Sequence, residues 1–259
     1  MSIETETIQW RVDTLLRATA RAEAQHFWFK GFRYFFTPLI DQATRGKANP
    51  RLLDCGCGTG NNVELLARYG RAYGFDLTAS GLALGREAGR TRLARASVAA
   101  IPFVSNAFDL VTSFDVLVTL DDPIEAAAIE EMYRVTRPGG FVLINVAAMD
   151  MLRGDHSVLS HEVRRYSRRS LGRIVTKAGF TLVRLSYTNA VLFPVMALTR
   201  AWQRQRGLRA EHEAVGEISV PNRPINGLLA AALKVESWWL RFGNCPFGSS
   251  LVCLARKPE

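Results

Sequence analysis

A chain of 259 residues that is 48% hydrophobic and 22% charged can bury one large α/β core with additions, or at most two small domains. It holds no run of about 18 apolar residues, which excludes a membrane-spanning helix, and four cysteines in this length exclude a disulfide framework. The formal net charge of +9 is uneven: residues 151–210 hold 12 Arg and Lys against Asp155 and Glu162, so the remainder is close to neutral. Such a segment either forms a solvated basic face or meets an anionic partner: a phosphate-bearing substrate, a membrane surface or nucleic acid.

The N-terminus, MSIETETIQWRVD, is acidic and amphipathic and lacks the basic start and apolar core of a signal peptide, so a cytosolic protein is expected. Residues 3–45 read as helical, with Ile8, Val12, Leu15 and Leu16 on one face. The aromatic cluster HFWFKGFRYFF (26–36) suits either a core or a lid, and RGKANP (45–50) is a turn. An alternation follows. RLLDCG (51–56) is a strand, NNVELLARYG (61–70) a helix capped by Gly70, and RAYGFDLT (71–78) a strand ending at Asp76. A helix over 79–90, a short strand within 93–103 and an apolar strand over 108–120 come next, then a helix over 122–140 and a strand over 141–148. Residues 170–180 are a helix stopped by Gly179, 181–188 a strand, and 249–257 the final strand. Strands that alternate with helices and are apolar throughout predict a mostly parallel, doubly wound seven-stranded sheet with helices on both faces. One domain is expected, with residues 1–48 a helical lid, 49–188 the core, 189–248 a helical cap or insertion and 249–259 the closing strand.

The first strand runs into RLLDCGCGTG (51–60). Cys55 and Cys57 have no CxxC or HxxxH partner, so zinc is not expected. A glycine turn that opens a helix lets backbone approach a ligand closely. The spacing Gly56-x-Gly58-x-Gly60 departs from the dinucleotide fingerprint by placing its third glycine one residue early. Asp54 ends the strand before the loop. Asp76 ends strand two, 16 residues after Gly60, where a carboxylate can take both hydroxyls of a ribose; it could equally cap the helix that follows.

Four ordered motifs then carry a resemblance. LLDCGCGTG (52–60), GFDLT (74–78), IPFVSNAFDLV (101–111) and RVTRPGG (134–140) are similar to the motifs of class I S-adenosylmethionine-dependent methyltransferases, in their small-molecule and lipid-type branch, over residues 26–188. The resemblance implies a Rossmann-like fold and S-adenosylmethionine as cofactor. It places Asp54 near the methionine ammonium and passes Gly56, Cys57, Gly58 and Gly60 under the methionine and ribose. It also sets Asp76 on the ribose hydroxyls, Leu77 against adenine, and Phe114 and Asp115 beside the reactive end. Two departures stand out. Ser97-Val98 replaces an acidic residue that would bond the adenine amine, and VLVTL (116–120) has Thr119 where relatives carry a histidine. The aromatic stretch resembles a lid, so Trp28, Phe29 and Arg33 are expected to line the cofactor.

Methyl transfer from a sulfonium needs a positioned nucleophile and a place for its proton. The segment after strand five, MDMLRGDHSVLSHEVRRYSRRSL (149–171), is where open α/β sheets bind ligands. His156 or His161 is expected as base or anchor, with Tyr166 and Arg164 or Arg165 shaping the pocket; the plain alternative is a structural turn whose arginines cap the next helix. YTNAVLFPVMALTRAWQRQRG (187–207) suits a helix on a membrane surface, a cap over a hydrophobic pocket or a homodimer contact. The expected function is methylation of a small, hydrophobic or lipid-like acceptor on O, N or C by a cytoplasmic enzyme, any membrane contact being peripheral to the inner face. The alternatives are an RNA or protein methyltransferase using the basic segment, disfavoured by the lack of an RNA-binding module, and a non-catalytic cofactor-binding regulator.

Overall fold

The computed structural model describes residues 22, 23, 25–207 and 220–259, with the side chains of His156 and Leu159 excepted. The expected helix over 3–45 is therefore seen only from its later part, and Ile8, Val12, Leu15 and Leu16 lie outside the described residues. Helix α1 (Phe27–Thr44) precedes the alternation β1 (Arg51–Cys55), α2 (Asn61–Leu66), β2 (Arg71–Asp76), α3 (Ala79–Glu87), β3 (Leu93–Arg95), β4 (Phe108–Phe114), α4 (Asp122–Val135) and β5 (Thr136–Ala147). Then come α5 (Asp155–Leu159), α6 (Arg168–Lys177), β6 (Thr181–Thr188), α7 (Phe193–Gln205), α8 (Arg223–Trp239) and β7 (Ser250–Arg256).

The strands form one seven-stranded sheet in the order β3-β2-β1-β4-β5-β7-β6. β1 to β5 pair in parallel, whereas β7 runs antiparallel between β5 and β6. This is the expected doubly wound, Rossmann-like sheet. β4 is buried at every position, as a central strand covered on both faces must be. Phe36, Phe75, Phe108, Leu110 and Met132 are among the fully buried side chains of its core.

Two boundaries differ from expectation. The helix read over 122–140 stops at Val135, and β5 already begins at Thr136. Pro138 has no N–H to give a helix, and Gly139 turns at φ +71° with its N–H donating to the Lys257 carbonyl at 2.9 Å. The strand read over 108–120 ends at Phe114, because Asp115 adopts a left-handed φ of +58° and Leu117–Thr119 form a 3-10 turn.

The aromatic cluster divides its work. Phe35 and Phe36 are buried, and Phe32 and Phe36 both set their rings edge-on to Phe114 with centroids 4.9 Å away. α1 packs along α8. Gly31 permits this, since a Cβ there would stand 2.3 Å from Leu233 Cδ1. The Asn226 amide clamps the start of α1, its Oδ1 accepting from Phe27 N at 2.7 Å and its Nδ2 donating to the Gln25 carbonyl at 2.8 Å. Residues from both ends of the chain thus wall one side of the sheet, beside the carboxyl ends of β4 and β5.

Candidate active site

The loop between β1 and α2 is shaped by its own backbone. Gly56 N and Cys57 N both donate to the Phe75 carbonyl at 2.9 Å, and Gly60 N donates to the Cys57 carbonyl at 2.8 Å. Gly56 turns at φ +74°, and a Cβ there would lie 2.3 Å from Val116 Cγ2, so only glycine fits. Asp76 anchors the loop from the next strand: Gly58 N and Thr78 N donate to its two carboxylate oxygens, each at 2.8 Å. It does not cap α3, whose N-cap position is Thr78; its bond to Thr78 N shapes the turn before that helix, and the bond to Gly58 ties it to the loop. Cys55 and Cys57 are buried, and burial pushes both thiols up, so they are packing groups held protonated.

Asp54 lies beneath this loop and is 1% exposed. Thr112 Oγ1 donates to its Oδ1 at 2.6 Å, while Oδ2 is buried without a partner in the structure. Burial pushes its carboxyl up to about 7, opposed by the Thr112 hydroxyl and reinforced by the Asp76 charge. A buried carboxylate oxygen with no donor is costly unless a cation or N–H meets it. Leu77, at the end of β2, is 65% exposed, Val98 and Phe114 are buried, and the Ser97 hydroxyl accepts from Ala99 N at 3.2 Å. Arg33 reaches the first residue of α2 from above, its guanidinium 3.4 Å from Asn61 Oδ1. Phe29 instead sets its ring edge-on to His26 at 6.2 Å.

Beside the end of β4 is a cavity of about 110 Å³, whose walls include Trp28, Asp115, Val118, Leu152, Glu162, Arg165, Met196, Arg200 and Ser250. Asp115 is held there twice by Asn145: its N–H donates to the Asn145 carbonyl at 2.9 Å and its Oδ1 accepts from Asn145 Nδ2 at 2.8 Å. Asp115 keeps an exposed edge, yet desolvation by the surrounding walls, then the Glu162 charge, raises its carboxyl to about 7 against the pull of Asn145 and Arg165. Glu162 and Arg165 form a two-point ion pair (2.9 and 3.3 Å) with side chains only 4% and 6% exposed. Arg165 also donates to the Ala148 carbonyl and Ser157 Oγ, both at 3.1 Å.

The segment named from sequence as the catalytic one splits in two. Tyr166 bridges to Ala148 beside β5, which makes residues 164–166 locally extended with alternating side chains. Arg165 therefore faces the cavity, while Arg164 and Tyr166 face α4. The Tyr166 hydroxyl bonds the Leu117 carbonyl and the Glu125 carboxylate, and Arg164 pairs with Asp122 at 2.7 Å and Glu125 at 3.2 Å. Tyr166 is thus corrected from a pocket group to a buried latch. Tyr166→Phe is expected to lower the unfolding free energy by about 1–2 kcal/mol in a urea titration, with no change in cavity chemistry. His161 is exposed on a turn at φ +52°, and His156 belongs to α5, its side chain lying outside the described residues. Trp28, expected to line the cofactor, stands in the wall of the cavity beside Asp115.

Asn145, Thr112, Glu162, Met196 and Arg200 went unmarked in the sequence. Glu162 stood within the HEVRRY segment and was the one with a visible signal, an acid three residues before an arginine. Part of the basic segment is bonded within the fold, while Arg168, Arg169, Arg173 and Lys177 of α6 are exposed. Arg153 bonds the Val163 carbonyl, Arg204 the Met151 and Arg153 carbonyls, and Arg206 pairs with Asp155.

Comparison with known proteins bears on this geometry. Residues 53–144 match the family model described as a methyltransferase domain. The malonyl-[acyl-carrier protein] O-methyltransferase of Enterobacter lignolyticus is 38% identical over 108 residues, covering 39% of this chain and 41% of that protein. The chain thus matches about two fifths of that relative's length. The demethylmenaquinone methyltransferase of a Mycobacterium strain (KMS) is 28% identical over 183 residues, 70% of this chain and 73% of the relative. The fold is shared with the Haemonchus contortus phosphoethanolamine N-methyltransferase 2 solved with S-adenosyl-L-methionine, at a TM-score of 0.55 and 18% identity over 95% of this chain and 60% of that one.

Proposed function

Because the chain carries a methyltransferase domain of the class I, S-adenosylmethionine-dependent kind, we propose that it transfers a methyl group to a small, hydrophobic or lipid-like acceptor bound in the cavity beside Asp115. The observation that supports it most is the pairing of two features at the carboxyl ends of the strands. One is the glycine loop with the unpartnered Asp54 Oδ2 and the Asp76 rim, and the other is the adjoining cavity with its own carboxylate.

The residues fit the family's cofactor. Asp54 Oδ2 suits the methionine ammonium, the positive-φ glycines admit close passage of a ligand, and Asp76 keeps lone pairs for ribose hydroxyls beyond the two N–H groups it already accepts. Exposed Leu77 suits an adenine face, with Ser97 and Val98 at its edge, and Phe114, Trp28 and Arg33 close the site from α1 and β4. When bound, the cofactor supplies an activated methyl. The protein's work is then orientation, exclusion of water and acceptance of a proton. Trp28, Val118, Leu152 and Met196 give the cavity apolar walls that hold the reacting end of an acceptor. Asp115 is the proton acceptor in this reading, its oxygen oriented by Asn145, with the Arg165-paired Glu162 behind it. His156 and His161 are the other candidates for that role.

The relatives' names speak of a malonyl-[acyl-carrier protein] and of demethylmenaquinone. A cytoplasmic enzyme working at the inner face of a membrane accords with them. For an RNA or protein acceptor the basic segment offers only part of its charge: Arg153, Arg164, Arg165, Arg204 and Arg206 are bonded within the fold, and the exposed cations Arg168, Arg169, Arg173 and Lys177 lie on α6. The test is transfer of label from methyl-tritiated S-adenosylmethionine to prenylated quinols, phenols, fatty acyl carriers and tRNA in parallel. Labelled hydrophobic product is the expected result. Label on tRNA alone, or cofactor binding with no transfer to any acceptor, would overturn the reading.

A further inference from the structure

α8 has two unlike faces. Asn226, Ala230, Leu233 and Glu236 are buried, and Leu233 packs on Gly31 of α1. On the other side Ile225, Leu228, Val235, Trp239 and Phe242 recur at helical spacing with Trp238 beside them, each at least half exposed. An apolar stripe of this length, with two tryptophans and a phenylalanine at one end, is rarely left to water.

Charge says what covers it. Arg223, Lys234 and Arg241 are exposed along the same helix and its end. Glu236 is the only acidic residue in the sequence from 220 to 258. It is 3% exposed and turned inward, accepting from Ala190 N and Val191 N at 3.0 Å. The cations therefore flank the apolar stripe, Lys234 with its Nζ 6.0 Å from the Tyr34 ring of α1, and no exposed acid of this helix compensates them. A second copy docked face to face would set like charges against each other, whereas an anionic bilayer would pair with the cations and take the rings into its headgroup layer. No helix among the described residues is long and apolar enough to cross a membrane, so the contact is a helix lying in the surface.

We propose that the outer face of α8 seats this protein on an anionic phospholipid surface through Trp238, Trp239, Phe242 and the flanking Arg223, Lys234 and Arg241. The inner face of the same helix backs α1, which carries Trp28 into the cavity, so the seat lies behind the wall of the acceptor site. Its purpose, delivery of a membrane-dissolved acceptor, rests on the lipid-like reading above; the binding itself does not.

Co-sedimentation of the full chain with phosphatidylglycerol-rich and with pure phosphatidylcholine vesicles tests this. The wild type is expected to pellet with the anionic vesicles far more than with the neutral ones, and to be released by salt. R223S/K234S/R241S is expected to lose roughly fivefold in partition per charge removed. W238S/W239S/F242S is expected to lose at least about tenfold, with thermal midpoint and S-adenosylhomocysteine affinity held at wild-type values. No pelleting of the wild type, or equal pelleting of the variants, would overturn the proposal. So would a concentration-dependent dimer by light scattering that the aromatic variant dissolves. Vesicle binding without cofactor binding would leave this face standing and remove the methyl-transfer reading, so the two failures are separable.

Discussion

Asp76→Ala is expected to weaken S-adenosylhomocysteine binding by about a hundredfold or more, about 2.7 kcal/mol, measured by titration calorimetry. Two losses combine. The carboxylate would no longer accept from ribose hydroxyls, where charge-assisted bonds contribute about 1.5–3 kcal/mol each. The loop would also lose its tether, because Asp76 holds Gly58 N and Thr78 N at 2.8 Å. Asp76→Asn separates them. One amide oxygen still accepts a loop N–H, yet the charge is gone, so an intermediate loss is expected. Affinities of both variants within a factor of about three of wild type would show that Asp76 only shapes the turn.

What the sequence made legible follows from how local each signal is. The glycine loop, Asp54 and Asp76 were readable because each sits at a strand end, and strand ends are set by short patterns of apolar residues and glycine. The seven strands were readable for the same reason, with errors where a boundary depends on another chain segment: β5 starts early because Gly139 and Gly140 pair with Lys257 from the far end of the chain. The acceptor cavity was not readable. Trp28, Asp115, Glu162, Met196 and Ser250 come from five separate stretches, and only packing assembles them. Tyr166 was misassigned because sequence spacing does not tell which side of an extended segment faces a cavity; the Ala148 bridge decides it.

Asp115→Asn is expected to reduce turnover by about 10²–10⁴-fold while leaving S-adenosylhomocysteine affinity within a few-fold, and to move stability the other way. The substitution keeps the shape: asparagine tolerates the left-handed φ of +58°, and its Oδ1 can still accept from Asn145 Nδ2. Only the ionisable group is lost. Glu162 and Arg165 face Asp115 from the 160–166 segment, Asn145 from β5, and Arg200 from α7 stands across the cavity. Desolvation by the cavity walls and then the Glu162 charge raise the carboxyl from 3.8 to about 7, although part of the side chain stays exposed to solvent. Wild-type turnover should therefore rise with pH through about 7 and then level. For stability, a folded value above the unfolded one means that the contribution is full below about pH 4 and is lost as pH rises through about 7. The asparagine variant escapes that loss. It is expected to unfold at slightly higher urea than wild type above pH 7, the gain kept small by the solvent that reaches the exposed Asp115 side chain, with the difference vanishing in acid. His156→Gln and His161→Gln, made singly, complete the test. If either abolishes turnover while Asp115→Asn spares it, the proton goes to a histidine and Asp115 is only a wall of the cavity. If Asp115→Asn alone removes both the turnover and its rise with pH, the carboxylate at the end of β4 is the base.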